Sequence, residues 1–351
     1  MSTASLRSLW LATLLILFLA GCAFFRSSQA ASSDDAEAVT IEATITVYTP
    51  LPNDEIETYL ADFALAYPEI QVNVVSQSIR SLTDAVRAER DKPKADVIWG
   101  LPLASMLFLE WNDLLKPYEP ANLDRVDTRF RDQRQPPYWV GDYVMMAAFC
   151  VNPREILRRG APAPQSWEDL RKPIYRRMLV MSNPSTSGTG LMITLGLLQL
   201  YGEQEGWRYL DDLHKNIVKY LDSRSDPCQL VAKGDYPIGI AQTNPDLSNV
   251  DIIYPREGSM WELRTNALVR KDPIQPAART FLDWTISDSA MRLYARRSAV
   301  TAAKTGLAIP AGFPLDPNAQ MLDKDMPWAA ANRERILAEW ARRYSDKTAN
   351  E

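Results

Sequence analysis

The chain has 351 residues, with 39 Lys and Arg against 44 Asp and Glu, a formal net charge of −5 and 46% hydrophobic residues. With no basic excess and no Lys/Arg stripe, nucleic-acid binding is excluded as a working function. The apolar fraction can fill two cores, and roughly 310 residues remain for folding once the N-terminal segment is set aside.

That segment reads as an export signal. Arg7 is the only charged residue before Arg26, and Leu9 to Ala20 is almost wholly apolar. About a dozen residues are too few for a comfortable membrane span and right for a signal-peptide core. The run ends Leu19-Ala20-Gly21-Cys22, which resembles the bacterial lipobox. It implies removal of Met1 to Gly21, lipidation of Cys22 and an extracytoplasmic, lipid-anchored protein. Residues 22–40 are Ser/Ala/Asp-rich and are expected to form a flexible tether. Loss of Arg7 takes Lys and Arg from 39 to 38 against 44 acids, a net charge of −6.

The first hundred residues after the tether alternate strand and helix. Thr44 to Tyr48 is a strand. Asn53 offers an N-cap with Asp54 and Glu55 in the first turn, and Ile56, Tyr59, Leu60, Phe63 and Tyr67 follow at helical spacing before Pro68. Ile70 to Val75 is a strand, Ser81 to Arg90 a helix, and Ala95 to Trp99 a third strand. This β-α-β-α-β order predicts an open parallel sheet with ligands beyond the strands' carboxyl ends, where Tyr48, Thr49 and Trp99 lie. A second α/β block follows: a strand over Tyr143 to Val151, a Ser166-capped helix at Trp167 to Leu170, and a strand over Tyr236 to Ala241. The tail from Pro276 to Tyr344 reads as mostly helical, broken at Pro310-Ala311-Gly312 and Pro314.

The most informative stretch lies inside the second block. Met178 to Met181 is apolar, Ser182-Asn183-Pro184-Ser185-Thr186-Ser187-Gly188-Thr189-Gly190 follows, and a helical stretch is expected from Leu191. A hydroxyl-rich, glycine-containing loop running into a helix N-terminus makes a cup for a small oxyanion, with phosphate or phosphonate the natural class. The cup residues are Ser185, Thr186, Ser187, Gly188 and Thr189. No Walker lysine pattern and no Gly-x-Ser-x-Gly elbow accompanies them, so the cup suits holding rather than converting. His214, the single histidine, lies on a helix that reads as exposed, which makes a catalytic base there a weak reading. With Cys22 set aside, Cys150 and Cys228 are most economically a disulfide in an exported chain, free thiols or a metal pair being the alternatives. One histidine and no close Cys/His cluster argue against a zinc site.

From about Ile45 to the last helices the chain resembles the extracytoplasmic binding proteins of ABC importers related to ferric-ion-binding proteins. It is most similar to the branch that binds 2-aminoethylphosphonate. The segments that carry this are Val47-Tyr48-Thr49, Ala95 to Gly100, Pro137-Tyr138-Trp139-Val140-Gly141, Ala148-Phe149-Cys150-Val151-Asn152, Asn183 to Gly190, Asp226-Pro227-Cys228 and Glu257 to Glu262. The resemblance implies a type II periplasmic binding fold of two α/β lobes, each a mostly parallel sheet flanked by helices, closing over a cleft. It places lobe I at 41–140 and 265–351 and lobe II at 141–264, with crossings near Val140–Phe149 and Leu263–Val269. It further implies that the hydroxyl cup holds the phosphonate and that Cys150 and Cys228 occupy the branch's two cysteine positions. The ligand's ammonium would need a carboxylate or an aromatic face, with Trp139, Asp142, Trp261 and Glu262 as candidates. The partners implied are a permease and its ATPase, with a monomeric binder, no metal and no cofactor.

Two segments depart from the branch. Gln77-Ser78-Ile79-Arg80-Ser81 replaces an Asp-Ser-Thr-Gly-like loop, and Arg80 there can meet an oxyanion bidentately. Gln242-Thr243-Asn244-Pro245-Asp246 replaces a stretch expected to contain tyrosine and arginine. These changes open a second reading, a phosphate-ester receptor. Ferric ion is disfavoured because the chain has 14 tyrosines and no Tyr-Tyr pair. A secreted hydrolase is the remaining alternative.

Overall fold

The computed structural model describes residues 40–222, 226–242 and 247–348. The expected signal segment, Cys22 and the tether up to residue 39 lie outside the described residues, as do 243–246 of the second departing segment. Residues from Ile41 onward form one compact unit.

In chain order the first elements are β1 (Ala43–Thr49), α1 (Asn53–Ala66), β2 (Ile70–Ser76), α2 (Ile79–Ala88), β3 (Val97–Pro102), α3 (Leu103–Trp111) and β4 (Leu115–Lys116). The middle of the chain supplies β5 (Val140–Val151), α4 (Pro153–Arg158), α5 (Trp167–Leu170), β6 (Leu179–Ser182), α6 (Gly188–Tyr201), α7 (Glu203–Asn216), β7 (Ile217–Leu221) and α8 (Pro227–Lys233). The remainder comprises β8 (Ile238–Gln242), β9 (Asp251–Ile253), β10 (Trp261–Val269), α9 (Pro276–Thr285), α10 (Asp288–Tyr294), α11 (Pro317–Gln320) and α12 (Met326–Tyr344).

The strands run in the order β2-β1-β3-β10-β5-β8-β6-β7, with β4 beside β10 and β9 beside β5. At one end β2, β1 and β3 are parallel, and at the other β8, β6 and β7 are parallel. Between them β10 and β5 pair antiparallel to each other and to their outer neighbours. This is the two-lobe architecture: two parallel α/β units joined by two long strands that belong to both. β5 passes from one core to the other between Met146 and Ala147, and the chain makes the return as it enters β10, between Met260 and Leu263.

Local chemistry explains most boundaries and shifts some. Helix α1 starts at Asn53 rather than being capped by it, because Pro50-Leu51-Pro52 already brings the chain into its first turn and Pro52 makes no side-chain cap. Helix α2 begins two residues earlier than expected: Ser78 takes the N-cap role, its hydroxyl accepting the Ser81 N–H. Ser166 caps α5 through the Asp169 N–H. In the C-terminal stretch, α9 and α10 join the first core, whereas α12 reaches the second while also packing on α3. Ala329, Ala330, Ile336, Leu337, Trp340 and Tyr344 of α12 pack into the second core with Trp167, Leu210 and Tyr220. Trp340 meets Tyr220 edge to face at 4.9 Å, so this amphipathic helix buries part of its apolar stripe against the second core.

Candidate functional site

The cup is built by one side chain and one cap. Asn183, directly after β6, donates its N–H to the Leu221 carbonyl at 2.7 Å, and its Oδ1 accepts the Ser185 N–H at 2.9 Å. Its carbonyl accepts the N–H groups of Thr186 at 3.1 Å and Ser187 at 2.8 Å. Ser187 is the N-cap of α6, its Oγ accepting the Gly190 N–H at 3.4 Å. Gly188 and Thr189 are then the first two helical residues, whose N–H groups have no intrahelical acceptor. Neither donates to any other group among the described residues. The Thr186 hydroxyl oxygen is buried without a partner. Two free backbone donors and a buried unpaired Thr186 hydroxyl oxygen thus lie in the turn at the positive end of a 14-residue helix, in a segment that also carries the Ser185, Ser187 and Thr189 hydroxyls.

Gly190 makes the geometry possible. A Cβ there would lie 2.4 Å from the Ser182 carbonyl oxygen and 2.7 Å from the Pro184 nitrogen, so strand end and helix start approach each other backbone to backbone. Gly188 faces outward to another element. A Cβ on it would be 2.3 Å from Ile79 Cδ1 and 3.6 Å from Pro102 Cγ. The first residue of α2 thus sits directly on the first residue of α6, with the end of β3 beside it. Arg80, the cation expected here, is exposed and lies 3.9 Å from Asp84. It is also close enough to Arg333 of α12 to oppose that residue's charge, which burial disfavours first of all. Arg333 is buried, and its Nε has no hydrogen-bond partner. Sequence reasoning missed both Ile79 and Arg333. Ile79 lay within the departing loop but was overlooked beside the charged Arg80; Arg333, far along the final helix, carried no local signal.

The other expected cleft residues are placed differently. Trp99 is fully buried among Tyr59, Phe281 and Trp284, and its Nε1 donates to the Tyr294 hydroxyl at 3.4 Å. Tyr48 is buried, its hydroxyl donating to Glu89 at 3.0 Å. Thr49 is buried and accepts the Leu51 N–H at 3.1 Å. These three pack inward because β3 and β1 are central strands covered on both faces, which the alternation rule for half-exposed strands does not capture. Trp139 is buried with its Nε1 unpartnered.

The two candidate carboxylates are also enclosed. Glu262 accepts the Leu263 N–H at 3.0 Å, and burial raises its pKa against the pull of Lys324, 3.8 Å away. The same Lys324 ammonium lies 4.5 Å from the centre of the Trp261 ring, whose Nε1 donates to the Leu322 carbonyl at 2.7 Å. The carboxylate-plus-aromatic arrangement expected for a ligand ammonium is therefore occupied by the protein's own lysine. Asp142 accepts the Tyr143 N–H at 2.6 Å through Oδ1, while its buried Oδ2 has no partner. Burial pushes its pKa up to about 7, with Arg264 pulling the other way. Arg264 stacks 5.1 Å over Tyr143 and lies 3.7 Å from Glu55, which accepts the Tyr143 hydroxyl at 2.9 Å.

Cys150 on β5 and Cys228 on α8 form a disulfide, with Cα atoms 5.4 Å apart. His214 is less exposed than its helix suggested, since Tyr220 and Tyr344 stack against it. Among the described residues no group of three or more His, Cys, Asp or Glu could hold a metal ion, and no helix is long and apolar enough to cross a membrane.

Residues 92–330 match the bacterial extracellular solute-binding protein family. The chain belongs to that family. A probable ABC transporter periplasmic-binding protein, y4fP of Sinorhizobium fredii, is 25% identical over 267 residues, covering 72% of each chain. Among solved structures, the periplasmic binding protein P5PA superposes with a TM-score of 0.76 at 21% identity, over 86% of this chain and 100% of that one. AfuA from Actinobacillus pleuropneumoniae, with fructose-6-phosphate bound, gives 0.77 at 22% identity, over 87% and 99%. Iron-bound HitA from Pseudomonas aeruginosa gives 0.70 at 18% identity, over 85% and 99%. These likenesses establish the type II two-lobe fold.

Proposed function

We propose that this protein is the solute-binding component of an ABC importer and captures a small molecule through a phosphonate or phosphate group seated in the 185–189 cup. The observation that carries this is the pair of free N–H donors of Gly188 and Thr189 at the start of α6, in the same turn as the buried, unpartnered Thr186 hydroxyl oxygen. The contact between the starts of α2 and α6 adds to it, since two positive helix ends brought together favour an anion between them. Nothing in the cup is a nucleophile with a base beside it, so the reading is capture without turnover, followed by delivery to a permease and its ATPase. The binder acts as a monomer, held to the membrane through lipidated Cys22.

The sequence resemblance names 2-aminoethylphosphonate as the ligand. A second reading, a phosphate ester, is favoured by Lys324: the Trp261–Glu262 site that would have met the ligand's ammonium already holds a cation. AfuA, which shares the fold, holds fructose-6-phosphate, and this supports the ester reading. The test is the double substitution Ser187→Ala with Thr189→Val, titrated calorimetrically with both compounds. Two hydrogen bonds to a charged group at about 1.5–3 kcal/mol each predict at least a ~100-fold loss of affinity with folded-state circular dichroism retained. Unchanged affinity for a ligand that the parent protein binds would remove the cup from the site.

A further inference from the structure

We propose that Trp261 and Glu262 form a ready-made binding site for a primary ammonium group, and that Lys324 is its tethered occupant, closing the site to free solutes that carry such a group. The site shares no residue with the 185–189 cup, and its test needs no phosphoryl ligand.

The contacts of the Lys324 ammonium are those by which proteins hold a free ammonium group. It lies 4.5 Å from the centre of the Trp261 ring and 3.8 Å from the Glu262 carboxylate, and it donates to the Trp261 carbonyl. The Lys324 and Glu262 side chains are only 10% and 6% exposed, so the cation is recognised away from water, where it would be costly unpaired.

Neither wall of the site depends on the lysine. Glu262 accepts the N–H of Leu263 at 3.0 Å and that of Leu103, the first residue of α3. The Trp261 indole is fixed by its bond to the Leu322 carbonyl at 2.7 Å. The segment carrying Lys324 is tied down on both sides. Ser259 exchanges backbone hydrogen bonds with Gln320 at 2.6 Å and Leu322 at 3.1 Å, and the Gln199 side chain pairs with the Asp325 backbone at 2.7 and 3.2 Å. Truncating Lys324 therefore removes the occupant and leaves the site. A cavity of about 20 Å³, lined by Met192, Met260, Trp261, Leu322 and Asp323, already lies beside the lysine. Truncation at Cβ joins the vacated space to it, and the lost atoms, Cγ to Nζ, have the connectivity of n-propylammonium.

A group attached to the chain is present at an effective concentration that a free solute does not reach. Lys324 thus decides that this receptor reads no solute ammonium at Trp261 and Glu262, which is specificity by occupancy rather than by clash.

The experiment follows thermal unfolding of the parent, Lys324→Ala, Lys324→Met and the double variant Lys324→Ala with Glu262→Gln. Each is melted in about 0.1 M n-propylammonium chloride and in the same concentration of sodium chloride. The amine should raise the Lys324→Ala midpoint by at least about 2 °C over sodium. The parent, whose site is filled, and Lys324→Met, which fills the space without a charge, should shift by less than about 0.5 °C. The double variant keeps the space, loses the carboxylate and should lose the shift. A Lys324→Ala protein that is unfolded in sodium chloride and folded in the amine supports the site equally. Equal shifts in parent and Lys324→Ala, a shift retained by the double variant, or a Lys324→Ala protein that the amine neither stabilises nor folds would overturn it.

Discussion

Replacing Gly190 by alanine separates the cup's geometry from its chemistry, because the substitution adds no polar group and removes none. The new Cβ would stand 2.4 Å from the Ser182 oxygen, 2.7 Å from the Pro184 nitrogen and 2.8 Å from the Asn183 carbonyl carbon. All three are backbone atoms, so relief requires β6 and α6 to part. Forcing a methyl into such a contact costs about 3 kcal/mol, offset by up to about 1 kcal/mol from the better helix propensity of alanine. A net loss of about 2 kcal/mol corresponds to a midpoint lowered by about 3 °C for a protein of roughly 300 residues. Gly188→Ala is the comparison. Its nearest neighbour is the flexible end of Ile79, at 2.3 Å, and the next atom is at 3.6 Å, so the side chain can swing aside. Its stability should stay within about 1 kcal/mol of the parent. Thermal unfolding and ligand titration of both variants are the assay. Gly190→Ala should lose stability and ligand together, as the Gly188 and Thr189 donors tilt out of register. A Gly190→Ala protein as stable as Gly188→Ala, with affinity intact, would refute the close-packed turn as the basis of the cup.

Two further outcomes follow from buried chemistry. Asp142 has its pKa raised by burial from 3.8 to about 7. A raised carboxyl favours the folded state fully below its unfolded pKa, and that contribution is lost as pH rises through about 7, a swing of roughly 4 kcal/mol. Asp142→Asn should therefore gain stability relative to the parent between pH 4 and 8 in denaturant titrations, and a pH-independent difference would contradict the assignment. Reduction of Cys150–Cys228, which closes a 78-residue separation, should lower unfolding stability by about 4 kcal/mol in the chain-entropy account, read as a lower denaturant midpoint under reducing conditions.

The alternation of strand and helix was legible because β1, β2 and β3 are β-branched runs separated by helices with clear stops, and the turn after β6 was legible because Ser, Thr and Gly accumulate there. The cap at Ser78 was hidden because a helix was expected only from Ser81, although Ser78 to Ser81 has capping spacing. Tyr48, Thr49 and Trp99 lie at strand ends that sequence alone makes candidates for cleft walls, whereas here all three are buried, Tyr48 bonded to Glu89, Thr49 to the Leu51 N–H, and Trp99 against α9 and α10. Glu262 and Trp261 looked like an ammonium site on their chemistry, and that chemistry was sound. What sequence could not supply was Lys324, more than sixty residues away, brought onto them when the segment after α11 crosses β10. The final helix follows the same pattern: its apolar stripe states that it packs, and only the tertiary path brings it against both α3 and the second core.

The central claim is that a phosphoryl group is recognised by the 185–189 cup. The most direct measurement is calorimetric titration of the parent protein with fructose-6-phosphate and 2-aminoethylphosphonate, beside fructose and ethanolamine, which lack the phosphoryl group. Saturable 1:1 binding of at least one phosphoryl compound, with none by its counterpart, is the predicted result. Equal binding with and without the phosphoryl group, or no binding of either phosphoryl compound, would contradict it.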